Sequence, residues 1–149
     1  MADIVRDNFK DVEEGAMRDP ILFGDYEMAN PTDDEAEDPR LYQDLGEYTF
    51  IKDKLDRMLE DYSFDHKAMS LVLFNDAMEH VTKIHRVIRF PRGCALLVGF
   101  GGSGKQSVTK LATFTACYEL FTITLVRNYG EDNFREELRN LYKIVLKKP

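Results

Sequence analysis

The sequence predicts an α/β fold: a parallel sheet with flanking helices, incomplete, and preceded by a helical and linker segment. Three observations point there. Cys94-Ala95-Leu96-Leu97-Val98 is a short, continuously apolar run bounded by Gly93 and Gly99, as a strand buried on both faces requires. A glycine-rich loop follows it and leads into a helical pattern from about Lys105 to Tyr118. Phe121-Thr122-Ile123-Thr124-Leu125-Val126 is a second run, rich in β-branched residues, with another amphipathic stretch behind it. Strand, loop, helix, strand, helix is how a parallel sheet opens.

The elements follow in chain order. Ile4, Val5, Phe9, Val12 and Ala16 are spaced near the helical period, which predicts a short helix over residues 1–19. It ends at Asp19-Pro20, because the residue before a proline disfavours the helical region. Ile21-Leu22-Phe23-Gly24-Asp25-Tyr26 is an apolar plug without a readable period. Residues 29–40 hold a run of acids with Pro31 and Pro39 and read as a solvated, flexible linker. The acids repel one another and carry no turn glycine, so a calcium loop does not fit.

From Thr49, Ile51, Leu55, Met58, Leu59 and Tyr62 share one helical face. A second helix is predicted from about Met69 to Ile88, with Leu73, Ala77, Val81, Ile84 and Ile88 as its buried stripe. Phe90-Pro91-Arg92-Gly93 ends it. A last helix is expected to start near Asp132 or Asn133, with Asn133 and Glu136 as a capping box. Phe134, Leu138, Leu141 and Val145 are its predicted buried stripe.

Composition narrows the functional classes. Of 149 residues, 44% are hydrophobic and 11% aromatic, enough to bury a core. The net charge of −7 argues against a generic nucleic-acid binder, which needs a basic footprint. Charge is unevenly spread: residues 1–60 carry −11 and residues 61–149 carry +4, as two segments with different tasks would. No apolar run reaches the length of a membrane span, and the first residues carry no apolar secretory core. Two cysteines make no disulfide framework, which points to a reducing compartment.

The chemistry sits in Gly99-Phe100-Gly101-Gly102-Ser103-Gly104-Lys105-Gln106. It fits the phosphate-loop pattern G-x-x-x-x-G-K-[ST] at every position but the last. Successive backbone amides must curl round phosphate oxygens, so side chains must be absent where the backbone approaches closely. Lys105 supplies a point charge for the β and γ phosphates, and the following helix adds its positive end. A dinucleotide fingerprint, Gly99-x-Gly101-x-x-Gly104, competes for the same residues. It needs an acid near the end of the next strand, and that strand ends Leu125-Val126-Arg127. A plain glycine-rich turn is the third reading. The hydroxyl that normally ligates magnesium is replaced by Gln106, and Ser107 comes one residue late, about 100° round the helix. Nucleotide binding survives such a change better than hydrolysis does.

No other constellation reaches a reaction. His80 and His85 point about 140° apart on a helix, so they share no metal and read as surface or partly buried structural residues. Cys94 and Cys117 read as buried packing residues. Asp132, Glu136 and Glu137 read as acids at a helix start. No catalytic residue and no metal ligand is assigned.

The loop and its flanks resemble a known family. Leu96-Leu97-Val98-Gly99, followed by Gly101-Gly102-Ser103-Gly104-Lys105-Gln106-Ser107, resembles the fourth AAA+ module, a P-loop NTPase, of axonemal dynein heavy chains. Gln-Ser after the lysine is similar to the axonemal branch; cytoplasmic dyneins usually show Thr. The stretch from Asn75 to Arg89, the plug Asp19–Tyr26, Phe121–Leu125 and Asn128-Tyr129-Gly130 continue the resemblance, which covers most of residues 19–146. Residues 1–18 resemble the tail of the third module more loosely.

The resemblance implies residues 1–40 as the end of a preceding module with an acidic linker, and 41–149 as a partial AAA+ nucleotide-binding domain. It implies ATP held by Gly99, Gly101, Gly102, Ser103, Gly104, Lys105, Gln106 and Ser107, with Mg2+ weakened by Gln106. It implies neighbouring AAA+ modules as partners, microtubules only through the full motor, and a place in the cytoskeleton of the cilium axoneme. The family's Walker B acids, arginine finger and stalk have no counterpart in these residues, so the chain reads as a piece of a motor with a regulatory nucleotide site. The rival reading is a structural or interaction piece that holds no nucleotide by itself. A free-standing small ATPase is the weakest reading.

Overall fold

A computed structural model describes residues 20–29 and 40–147. The helix expected over residues 1–19 and the acidic run, apart from its end residues Ala29 and Arg40, lie outside the described residues. The chain divides into two compact units, Met1–Tyr118 and Glu119–Pro149.

The first unit begins with a strap. The plug without a readable period forms a short antiparallel bridge: β1, Phe23–Gly24, pairs with β2, Gln43–Asp44, with Phe23 opposite Asp44 and Gly24 opposite Gln43. The Leu45 amide extends it by donating to Leu22 O at 2.9 Å. Tyr26, fully buried, donates its hydroxyl to Thr82 Oγ1 at 2.8 Å, since that oxygen's own proton goes to Met78 O. Burial pushes the Tyr26 phenol up to about 12.

Helix α1 spans Tyr48–Asp65 and buries Ile51, Leu55, Met58 and Tyr62, the expected stripe, with Leu59 at its margin. Helix α2 spans Asn75–Arg89. It starts six residues later than the periodicity predicts, because Leu73 joins the core from an extended approach. Arg86 and Arg89 in its last turn complement the negative end of the helix. The turn after it is closed by the Gly93 amide donating to Phe90 O at 2.9 Å. A Cβ on Gly93 would lie 1.8 Å from Val87 O, so only glycine fits. Helix α3 spans Lys105–Thr115, ending before the expected Tyr118, and buries Val108, Leu111, Ala112 and Phe114. It packs mainly on α2 and also on α1. Tyr62 and His66 stack at 4.4 Å, and the Phe114 ring meets both edge-on.

The expected parallel sheet is not formed among the described residues. Residues 93–100 and 118–126 run without a ladder partner, and the only pairing is β1 with β2. Apolar and β-branched side chains give a segment strand propensity, but a strand needs a neighbour to take its amides and carbonyls. Leu96 is 90% exposed and Val98 87%, while Leu97 alone leans on the core. Cys94 is therefore exposed rather than buried. Cys117 is exposed as well, because α3 has ended and the chain turns into the left-handed region there (φ 57°).

The second unit holds helix α4, Glu131–Lys147, with no buried residue. Phe134 and Val145 of its expected stripe are exposed, and Leu138 and Leu141 are half-buried. The capping differs in register from the sequence reading. The helix starts earlier, and Asn133, now in its first turn, accepts the Gly130 amide through Oδ1 at 3.0 Å. That is the part the third residue of a capping box plays.

Candidate phosphate loop and its supporting helix

The loop from Gly99 to Gly104 lies between the extended apolar segment and α3. Gly102 and Gly104 adopt φ of 78° and 77°, conformations that other residues enter at a cost of about 1–2 kcal/mol. A Cβ at Gly101, Gly102 or Gly104 would meet nothing within 4 Å. Space is open on this side of the loop, and what demands glycine at Gly102 and Gly104 is backbone conformation. Gly104 stands at the N-terminus of α3 with no side chain capping the first turn. The first amide turned back into the helix is that of Val108, which donates to Gly104 O at 2.9 Å. The amides of Lys105, Gln106 and Ser107 precede it, at the positive end of the helix.

Lys105 folds over the loop. Its ammonium donates to Gly99 O at 2.9 Å, Phe100 O at 2.6 Å and Ser103 Oγ at 3.0 Å. The charge is thus held at the loop by two carbonyls and a hydroxyl, all neutral acceptors on the exposed side, for which an anion can be exchanged. Gln106 is exposed and Ser107 half-buried. The structure therefore brings Gly99, Gly101, Gly102, Ser103, Gly104 and Lys105 round one loop, with Gln106 and Ser107 on the first turn behind it. Open glycine backbone, an uncapped helix start and a cationic side chain over the loop fit a polyphosphate such as ATP. The first turn fits magnesium less well, because an amide stands where a hydroxyl ligand is usual.

The far end of α3 is held by groups the sequence reading did not assign. Arg40 forks onto the helix's last carbonyls, Nη1 to Thr115 O at 2.9 Å and Nη2 to Ala116 O at 3.1 Å. His85, expected at the surface or partly buried, is fully buried; it contacts Thr115 Oγ1 through Nδ1 at 2.8 Å and Asp25 through Nε2. Arg89 Nε donates to the other oxygen of Asp25 at 2.9 Å. Burial pushes the His85 imidazole below its ordinary value, although Asp25 opposes this. Nε2–H donates to the Asp25 carboxylate, and Nδ1 lies against the Thr115 hydroxyl, whose own proton is directed to Ala112 O at 2.9 Å. Burial raises the Asp25 carboxyl, but the hydrogen bonds and charges of His85 and Arg89 outweigh it and hold the group below its usual range. One signal for His85 was present: it lies four residues after Val81, on the apolar stripe of α2. Asp25 and Arg40 gave none, because their partners lie 60 or more residues away.

Residues 69–148 match the family described as the P-loop containing dynein motor region D4. Human dynein axonemal heavy chain 10 is 51% identical over 139 residues, which cover 93% of this chain and 3% of that protein. The dynein-1-alpha heavy chain of the flagellar inner arm I1 complex of Chlamydomonas reinhardtii is 48% identical over 145 residues, covering 95% of this chain and 3% of its own length. The dynein beta chain of the flagellar outer arm from the same organism is 45% identical over 124 residues, 83% of this chain and 3% of that one. The chain thus spans about 3% of the length of these curated relatives.

Proposed function

Because the chain belongs to the family of the P-loop containing dynein motor region D4, we propose that it works as part of a dynein heavy chain, where its glycine loop holds ATP at a regulatory site rather than at the main site of hydrolysis. The observation that carries this is the loop itself: left-handed backbone that favours glycine at Gly102 and Gly104, an uncapped α3 and the Lys105 ammonium in one place. Bound ATP brings a chain of phosphate charge that can link this segment to its surroundings. The amides of Gly101 to Ser107 would donate to its oxygens, and Lys105 would leave its loop carbonyls for the phosphates. Gln106 supports a regulatory role, since precise magnesium placement governs phosphoryl transfer and the usual hydroxyl is missing. The module is the fourth of the motor's ring, its strands completing a parallel sheet there. Its partners are the neighbouring AAA+ modules, with microtubules reached only through the whole motor. The names of the axonemal and flagellar relatives favour the cilium axoneme as its place.

One observation favours the second reading, a structural piece that holds no nucleotide alone. Leu96, Val98 and Phe100, leading into the loop, are all 87–90% exposed, so no described residue braces the loop from that side. Calorimetric titration of ATP into the chain, with and without magnesium, separates the two. The nucleotide reading expects binding that Lys105→Ala weakens about 10- to 100-fold, the loss of a charged hydrogen-bond donor. It also expects Gln106→Thr to raise the magnesium dependence. Equal binding by the wild type and Lys105→Ala would remove this loop as the phosphate site and leave the structural reading.

A further inference from the structure

The phosphate loop is open at one end of α3, and the other end is clamped. At Thr115 and Ala116, three groups from outside the helix converge. Arg40, from the segment before α1, covers two terminal carbonyls with its guanidinium fork. His85, from α2, holds the Thr115 hydroxyl. Asp25, from the strap, holds His85 from behind and is itself held by Arg89. His85 and Thr115 are each fully buried. The last four carbonyls of a helix lack partners within it, and Arg40 answers two terminal ones; His85 and Asp25 hold the Thr115 side chain instead, which capping does not demand.

We propose that Arg40, His85 and Thr115 are positioning residues for the phosphate loop, and that the strap around Asp25 controls the loop's affinity through them. The proposal rests on the nucleotide reading of the loop. The mechanics are simple. Helix α3 has 11 residues and is about 16 Å long. A tilt of about 5° at its far end moves the first turn by about 1.4 Å, more than the roughly 0.5 Å window of a good hydrogen bond. The side-chain grip on Thr115 and Ala116 removes that tilt. Arg40 also sets a positive charge at the negative end of the helix. The strap thus acts on the loop from the opposite end of one rigid element, without touching the nucleotide.

The test compares paired substitutions in the full chain. Thr115→Val keeps the shape and removes the hydroxyl, while Thr115→Ser restores it. Arg40→Lys keeps the charge and removes the fork. Two quantities are read: the Kd for ATP, and hydrogen exchange at amides 108–111 of α3 against amides 81–85 of α2. Thr115→Val and Arg40→Lys are expected to weaken ATP binding about three- to tenfold, the span of one hydrogen bond. Exchange should rise in α3 and stay unchanged in α2, and Thr115→Ser should behave as wild type. A purely structural role would raise exchange in both helices together and leave Kd unchanged in the folded protein; that result overturns the proposal. If Thr115→Val fails to fold, Arg40→Lys, at a half-buried position, decides alone by the same criteria. If the wild type binds no ATP, the nucleotide reading fails and control of affinity fails with it. The exchange contrast between α3 and α2 then decides whether the clamp positions the helix at all.

Discussion

Helices α1 and α4 carry the same kind of message and meet opposite fates. Each places apolar residues on one face at the helical period: Ile51, Leu55, Met58 and Tyr62 on α1, Phe134, Leu138, Leu141 and Val145 on α4. The α1 face is buried against α2, α3 and the strap, whereas α4 buries no residue. The extended segments differ from the strap in the same way. Phe23–Gly24 found Gln43–Asp44 as a partner, and the more strand-like runs at 94–98 and 121–126 found none among the described residues. Periodicity and propensity record which face wants burial. They do not record what covers it.

That contrast is broken most sharply by truncating the two stripes. Leu55 is fully buried, so Leu55→Ala should cost about 2–5 kcal/mol in urea unfolding. Leu138→Ala, at a half-buried position, should cost about 1 kcal/mol or less. Equal losses would mean that α4 is as firmly covered as α1.

A smaller effect sharpens the comparison through pH. The folded-state value of His85 lies below its ordinary 6.5, chiefly because of burial. Below that value the unfolded chain takes up a proton that the folded ring resists, so stability should fall as pH drops through about 6.5. Asp25 is depressed below 3.8 despite its burial, through His85 and Arg89. Its contribution is present above that value and is lost only as pH falls through the lower, folded one. Thermal unfolding between pH 7.5 and 5 should therefore show a slope that His85→Gln flattens. Residues 119–149 contain no histidine, so no histidine of the second unit adds to that slope. A slope unchanged in His85→Gln would assign the titration elsewhere.

Legibility in the sequence followed the range of the interaction. The stripes of α1 and α2, the helix that starts at Lys105 and the glycine pattern between Gly99 and Lys105 are local, and each was readable. The clamp was not, because Asp25 and His85 stand 60 residues apart and Arg40 and Thr115 stand 75 apart. The burial of Cys94 was misread for a related reason: its strand-like run has no neighbour among the described residues to cover it. Asn133 was read as a cap and instead serves from inside the first turn, because Gly130 offers the earlier start.

A phosphate bound in the glycine loop would be felt first by the loop's own amides. Two-dimensional NMR of the full chain, titrated with ATP, should shift the amides of Gly101 to Ser107 and leave those of α4 in place, and Lys105→Ala should need about 10- to 100-fold more ATP for the same shifts. Shifts that fall outside residues 99–107, or an unchanged titration midpoint in Lys105→Ala, would contradict a phosphate site in this loop.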